Sequence, residues 1–323
     1  MLRKTLKWTG STLLVLIVGF AALVMSRQHR VFDAPYPRIA RSTDSAVLAR
    51  GKYLVYGPAH CADCHSKVGN EAAVNRGEIV DLPGGRQFPI EIGTLYARNI
   101  TPDKETGIGS FPDSVIARSL RYGVGHDGRA LFALMPFNNM SDEDLTAVIS
   151  YIRTLNPVRN PVPDNDLKLI GKVLKALLLE PVGPNGTPPA KMPIDTTVAY
   201  GEYMARSVAN CYGCHTDRDL RTGAFVGQPY AGGFHLDSPV DPLHYMCVSR
   251  NITPDPKTGR MYGWSFAQFQ DRFRKGKLIM HSAMPWGPFS RMSDDELKAI
   301  YNYMQTVKPV ENDIKEVLIE KKG

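Results

Sequence analysis

Acidic residues are absent from the first thirty positions, whereas Arg3, Lys4, Lys7, Arg27 and Arg30 all fall there. The formal charge of +7 therefore sits largely at one end, and setting those five cations aside leaves +2 for the rest. A body so near neutrality excludes nucleic-acid binding driven by bulk charge. Long stretches of alternating apolar and polar residues are also lacking. This argues against a sheet and leaves a mainly α reading for 323 residues that are 43% apolar and 22% charged. Cysteine is scarce: of five, four lie in two short clusters and Cys247 stands alone. Charge is missing altogether from Trp8 to Met25, a run at the short end of a membrane span. No clean Ala-x-Ala site follows, and the run exceeds a usual signal-peptide core. The expectation is an uncleaved membrane helix over 1–30, with a cleaved signal peptide as the alternative. Either one implies export.

What is present, twice, is a long ordered pattern. "GKYLVYGPAHCADCH" returns as "GEYMARSVANCYGCH", with Gly51 over Gly201 and Tyr53 over Tyr203. "RNITPDKETG" returns as "RNITPDPKTG", "MPFNNMSDEDL" as "MPWGPFSRMSDDEL", and "LNPV" as "VKPV". The order is kept throughout, so the chain carries a duplicated domain; two copies do not make a solenoid. The expected organisation is 31–160 and 197–323 as tandem domains, joined by a Pro-rich linker over 161–196. Each copy opens with a helix, Ser45 to Tyr56 or Thr197 to Val208. Each has a middle helix, Asp113 to Tyr122 or Phe266 to Lys275. Each closes on an apolar stripe at helical spacing, capped by Ser141 with Asp144 or by Ser293 with Glu296 as capping boxes. Gly51 and Gly201 either let the opening helix approach the closing one, which bears Tyr151 or Tyr303, or are ordinary helix ends. Leu167 to Leu179, inside the linker, reads as a short helix packed across the two domains or lying on a membrane surface.

Cys61, Cys64 and His65 form one Cys-x-x-Cys-His; Cys211, Cys214 and His215 form the other. This is the spacing of covalent c-type haem attachment, with two thiols on one turn for the two vinyl groups and the histidine for the iron. Zinc or a redox dithiol competes. Zinc would want four ligands at near spacings, and no second Cys or His pair lies close. The cofactor expectation is two covalently bound haem c, with His65 and His215 as proximal ligands.

With "CADCH", "CYGCH", "RNITPD" followed by "TG", and "MP" ahead of a capped final helix, the sequence resembles the multihaem cytochrome c subunits that accompany bacterial membrane-bound alcohol and gluconate dehydrogenases. The likeness runs from about Ser45 to Val310. Those subunits commonly carry three haem domains, and this chain repeats the unit twice. The resemblance implies tandem class I cytochrome c-like domains behind an N-terminal membrane helix. It also implies axial ligation by Met135 and Met284, the methionines of the "MP" pairs. Met140 and Met292 instead precede the capping serines, where a hydrophobic staple belongs. His126 and His281 are fallback ligands. Arg98 and Arg250 are candidates for pairing with haem propionates, or else exposed arginines at a turn. Cys247 aligns with Leu95, which reads as a buried apolar position; a cysteine ligand on iron is the alternative. His/Met ligation at both irons fills the coordination sphere and favours electron transfer over catalysis. The implied protein sits in the inner membrane with its haem domains facing the periplasm. It would take electrons from a dehydrogenase or quinol-oxidising complex and pass them to a terminal oxidase or soluble cytochrome. The competing readings are a dihaem peroxidase or thiosulfate-oxidising enzyme, and a cytochrome subunit of a haem-copper oxidase.

Overall fold

The computed structural model describes residues 2–219 and 224–321, with side chains from residue 7 onward. In chain order the first part comprises α1 (Leu2–Arg27), α2 (Ser45–Tyr56), α3 (Cys61–His65), α4 (Glu71–Arg76), β1 (Gln87–Ile90), β2 (Gly93–Tyr96), α5 (Asp113–Tyr122), α6 (Asp142–Ile152), β3 (Asp166–Leu167) and α7 (Leu169–Leu177). The second part comprises α8 (Val198–Tyr203), α9 (Cys211–Cys214), β4 (His235–Asp237), β5 (Tyr245–Val248), α10 (Phe266–Arg274), α11 (Trp286–Ser290), α12 (Asp294–Met304) and β6 (Leu318–Glu320). A single π-type turn, Met204–Val208, continues α8 where α2 runs on as a regular helix.

The absence of sheet expected from the sequence is a point to correct. Two small antiparallel sheets form, in the orders β1-β2-β3 and β4-β5-β6. Their strands are two to four residues long, too short for alternation to register in a sequence. Phe88 pairs with Leu95 in one sheet and Leu236 with Cys247 in the other, so Cys247 does occupy the place of Leu95. Leu95 is buried and Cys247 only half-buried.

In each part the opening helix lies against the closing one, α2 on α6 and α8 on α12. The glycines permit it. A Cβ at Gly51 would sit 2.0 Å from the Ala147 carbonyl oxygen, and one at Gly201 2.0 Å from that of Ala299. The two pairs share one apolar core, which includes Leu54, Leu145, Ile149, Met204, Val208 and Leu297.

Polar groups tie the parts together at the same level. The Ser141 hydroxyl caps α6 by accepting from the Asp144 amide, but the Asp144 carboxylate does not return to close a capping box. It takes a bidentate pair from Arg50 at 2.8 and 3.0 Å and a 2.7 Å hydrogen bond from Tyr203. Glu296 does complete a box with Ser293. It also accepts from Arg50 at 3.2 Å, from Tyr200 at 3.2 Å, and from Tyr53. The exchange is reciprocal: Tyr53 accepts from the Ser293 amide at 3.0 Å, and Tyr203 from the Ser141 amide at 3.1 Å.

Among the described residues, Lys7–Arg27 is the one helix long and apolar enough to cross a membrane. At about 1.5 Å per residue it matches a hydrocarbon core of ~30 Å. Leu13, Val15 and Leu16 are exposed, so this is no core helix. Its C-terminal end is fastened to the body. Val24 is buried, Arg27 donates to the Ala176 carbonyl at 3.3 Å, and the Phe32 amide to that of Gly128 at 2.8 Å. The linker helix α7 packs on this end and beside β3. Its main packing partners among the described residues are α1 and β3, not elements of the second part as expected for a helix across the two domains.

Candidate haem site

Each Cys-x-x-Cys-His is preceded by a residue in the left-handed region, His60 at φ 39° and Asn210 at φ 55°. Histidine and asparagine tolerate that conformation better than most residues. The reversal turns the chain out of the preceding helix and sets the two thiols and the histidine on one short helical turn.

The histidines are held in the same way. His65 Nδ1 lies 2.7 Å from the Arg98 carbonyl oxygen, and His215 Nδ1 lies 2.8 Å from that of Arg250. A carbonyl only accepts, so each Nδ1 carries the proton and each Nε2 is left with its lone pair free for a metal. Burial lowers both imidazole pKa values and keeps the rings neutral, partly offset by these hydrogen bonds. The sequence assigned "RN" to its arginine side chain; what meets the histidine is the arginine's backbone. The Arg98 guanidinium donates to the carbonyls of Val162 and Pro163 and to the carboxylate of Asp164, and both Arg98 and Asp164 lie on the wall of the cavity described below. Arg250 is exposed.

Behind each arginine the loop is pinned. Asn99 donates to the Val158 carbonyl at 2.8 Å, and the Thr101 amide donates to Asn99 Oδ1 at 2.9 Å. In the second copy Asn251 donates to the Val310 carbonyl at 2.8 Å, and the Thr253 amide donates to Asn251 Oδ1 at 3.0 Å. "NIT" therefore locks to the "PV" of the closing segment, which explains why the two stretches recur together.

Sequence reasoning missed the double glycines, although "LPGGR" and "YAGGF" carry the signal twice. The Gly84 amide donates to the His65 carbonyl at 2.7 Å, and the Gly232 amide to that of His215 at 2.8 Å. Both glycines have positive φ, and a Cβ on either would come within 2.5 Å of the backbone of the arginine strand.

One continuous cavity of about 2460 Å³ is lined by Cys64, His65 and Met135 from the first part and by Cys214 and Met284 from the second. Ordinary ligand pockets span roughly 300–1,000 Å³, so there is room for more than one large cofactor. Cys61, Cys211 and His215 are not on its wall. The four motif cysteines are free thiols. Burial pushes Cys61, Cys64 and Cys211 up to about 12, so they stay protonated. Cys64 and Cys214, the second cysteine of each motif, line the same cavity.

Met135 and Met284 are half-buried against the core and face the cavity, whereas Met140 and Met292 are buried within the core as staples. His126 reaches the cavity, stacked on Phe111 at 4.5 Å. His281 is not on its wall; it is held by Ser238 at 3.0 Å and lies beside Tyr245. Sequence reasoning also passed over Arg218, three residues past His215. It lines the cavity beneath Phe234, and its buried Nε has no hydrogen-bond partner among the described residues.

A cytochrome c family model matches residues 48–156, which contain Cys61, Cys64, His65, Arg98 and Met135. Residues 48–156 are a cytochrome c domain. This domain implies covalently bound haem c, and free thiols beside a carbonyl-anchored histidine on an open cavity fit that group. Similarity extends over nearly the whole chain. It is 27% identical to one of the subunits of the nicotinate dehydrogenase of Pseudomonas putida, over 93% of this chain and 25% of that one. It is 29% identical to the cytochrome c subunit of the quinone alcohol dehydrogenase of Gluconobacter oxydans, over 84% of this chain and 57% of that one. It is 27% identical to the cytochrome c subunit of the gluconate 2-dehydrogenase of Pantoea cypripedii, over 82% of this chain and 60% of that one. The chain thus spans less than two thirds of each of these relatives. The likeness read from "CxxCH", "RNITPD" and "MP" holds at this level: the chain carries a cytochrome c domain and is related to cytochrome c subunits of alcohol and gluconate dehydrogenases.

Proposed function

We propose that the chain is a dihaem electron-transfer cytochrome c. In this reading 31–160 and 197–323 are tandem class I-like domains joined by 161–196, each holding one haem c. Cys61 and Cys64, and Cys211 and Cys214, would tether the two groups through thioethers. His65 and Met135 would ligate one iron, His215 and Met284 the other. Each haem supplies one-electron redox chemistry at its iron. The protein's part would be to tether it, to offer these histidine and methionine side chains to the iron and to set the polarity around it. The observation that carries the reading is the pair of equal contacts, His65 to the Arg98 carbonyl and His215 to the Arg250 carbonyl, each presenting a free Nε2 beside its two thiols. Arg218, on the cavity wall with its Nε unpartnered, suits an anionic edge of the second group better than the exposed Arg250 does.

α1 would remain uncleaved and hold the chain in the inner membrane, with the domains in the periplasm. The buried Val24 and the tie from Arg27 to Ala176 support a retained helix. The donor would be a dehydrogenase or quinol-oxidising complex, and the acceptor a terminal oxidase or soluble cytochrome.

The test is to replace Met135 and Met284 by Ala, one at a time, in the full-length haem-loaded protein. Each variant should lower one of two midpoint potentials and make that centre reactive to carbon monoxide, leaving the other unchanged. Unaltered spectra and potentials in both variants would overturn the ligand assignment.

A further inference from the structure

The linker helix α7 is built the wrong way round for a soluble surface. At about 100° per residue, positions 169, 170, 173, 174, 177 and 178 sweep roughly half of the helix circumference, and all are Leu, Ile or Val. An amphipathic helix in water turns such an arc inward. Here Leu169 is 78% exposed, Ile170 54% and Leu178 51%. The small residues meet the body instead, while Lys172 stays exposed. Gly171 and Ala176 are buried, and a Cβ at Gly171 would lie 2.2 Å from the Ile92 carbonyl oxygen. Lys168 Nζ donates to the Glu91 carbonyl at 3.2 Å, and Lys175 is half-buried.

We infer that α7 lies in the interfacial layer of the lipid bilayer, with Leu169, Ile170, Leu177 and Leu178 in the acyl boundary. The inference rests on the reading of α1 as a retained membrane helix. What selects a bilayer as the occupant is continuity: α7 packs on the C-terminal end of α1, where Arg27 holds the Ala176 carbonyl. Arg30 pairs with Glu180 at 2.9 Å just beyond the end of α7. A spanning helix that ends there brings the membrane surface to the helix beside it. Leu and Ile facing outward along a helix held at that level are what an interfacial helix requires. The placement has a consequence for the cavity. α7 follows β3, β3 pairs with β2, and Leu95 and Tyr96 of β2 line the cavity. The β1-β2-β3 sheet therefore fixes the first Cys-x-x-Cys-His at a set height above the bilayer instead of leaving it on a swinging tether.

The test uses the full-length haem-loaded chain with Cys247→Ser, reconstituted in phosphatidylethanolamine–phosphatidylglycerol vesicles. Spin labels are attached at Ile170→Cys, Leu177→Cys, Lys172→Cys and Val15→Cys. Relaxation by oxygen, which concentrates in lipid, is compared with relaxation by a water-soluble nickel chelate. Labels at 170 and 177 should respond at least several-fold more to oxygen than to the chelate, and the label at 172 the reverse. Chelate-dominated labels at 170 and 177 overturn the inference, as do labels shielded from both reagents, which would mean a protein cover. Position 15 separates the two readings: if it reports lipid while 170 and 177 report water, the anchor stands and the interfacial helix falls. If it too reports water, the anchor itself falls.

Discussion

Arg50 serves two carboxylates that belong to different closing helices, and replacing it tests how the parts are joined. Its side chain is 18% exposed, that of Asp144 7% and that of Glu296 1%. In Arg50→Met the stem volume is kept and the charge removed. Asp144 then keeps only Tyr203 and its local contacts, and Glu296 keeps Tyr53, Tyr200 and its own capping box. An uncompensated buried charge costs about 3–5 kcal/mol, against a total stability on the order of 5–15 kcal/mol for an ordinary domain. With a urea dependence near 3 kcal/mol per molar, the unfolding midpoint should fall by roughly 1–1.7 M. The assay is urea unfolding of the full-length chain in detergent, followed by far-ultraviolet circular dichroism. A companion variant, Arg50→Met with Asp144→Asn and Glu296→Gln, removes the orphaned charges and should regain at least half of the loss, because coupled sites are not additive. A loss below about 1 kcal/mol in the single variant, in the range of exposed pairs, would refute the argument. So would a triple variant no more stable than the single one.

Two further predictions concern glycines. Gly51→Ala and Gly201→Ala each drive a methyl into a backbone carbonyl 2.0 Å away; separating the paired helices should cost about 2–5 kcal/mol by loss of core packing. Tolerance of either by thermal unfolding would show that the helices are not in close contact. Gly84→Ala and Gly232→Ala combine a positive φ with contacts of 2.5 Å to backbone. Each should cost at least about 1–2 kcal/mol and shift the potential of the adjacent centre only, which redox titration of the loaded protein would read.

The helices were legible because their signals are local. Capping serines and a final apolar stripe place α6 and α12 without any tertiary information. The Cys-x-x-Cys-His motif was legible because its residues are adjacent in the chain. The sheets were not, since Gln87–Ile90 and Gly93–Tyr96 are four residues each and their third partner lies some seventy positions on, at Asp166. The histidine's partner was missed for a different reason. It is a backbone carbonyl, and no side-chain type announces it; only the recurrence of "RN" after "GG" hinted that this backbone matters. The direction of α7 was equally out of reach, because an amphipathic pattern says which face is apolar and not which way that face turns.

The repeat explains the interface in a way neither copy alone does. Tyr53 and Tyr203 hold matching places in the opening helices, and each crosses to the other copy's capping serine and acid. A copy standing alone would lack the tyrosine on its own closing helix, and a buried acid there would lose a partner. Arg50 breaks the symmetry, since its counterpart is Tyr200, so one cation answers two buried carboxylates. Two cations would give each acid its own partner and make the halves separable. A single shared one makes the charge balance of Asp144 depend on the same side chain that balances Glu296. The halves are therefore coupled where their closing helices begin, and Cys64 and Cys214 line a single cavity.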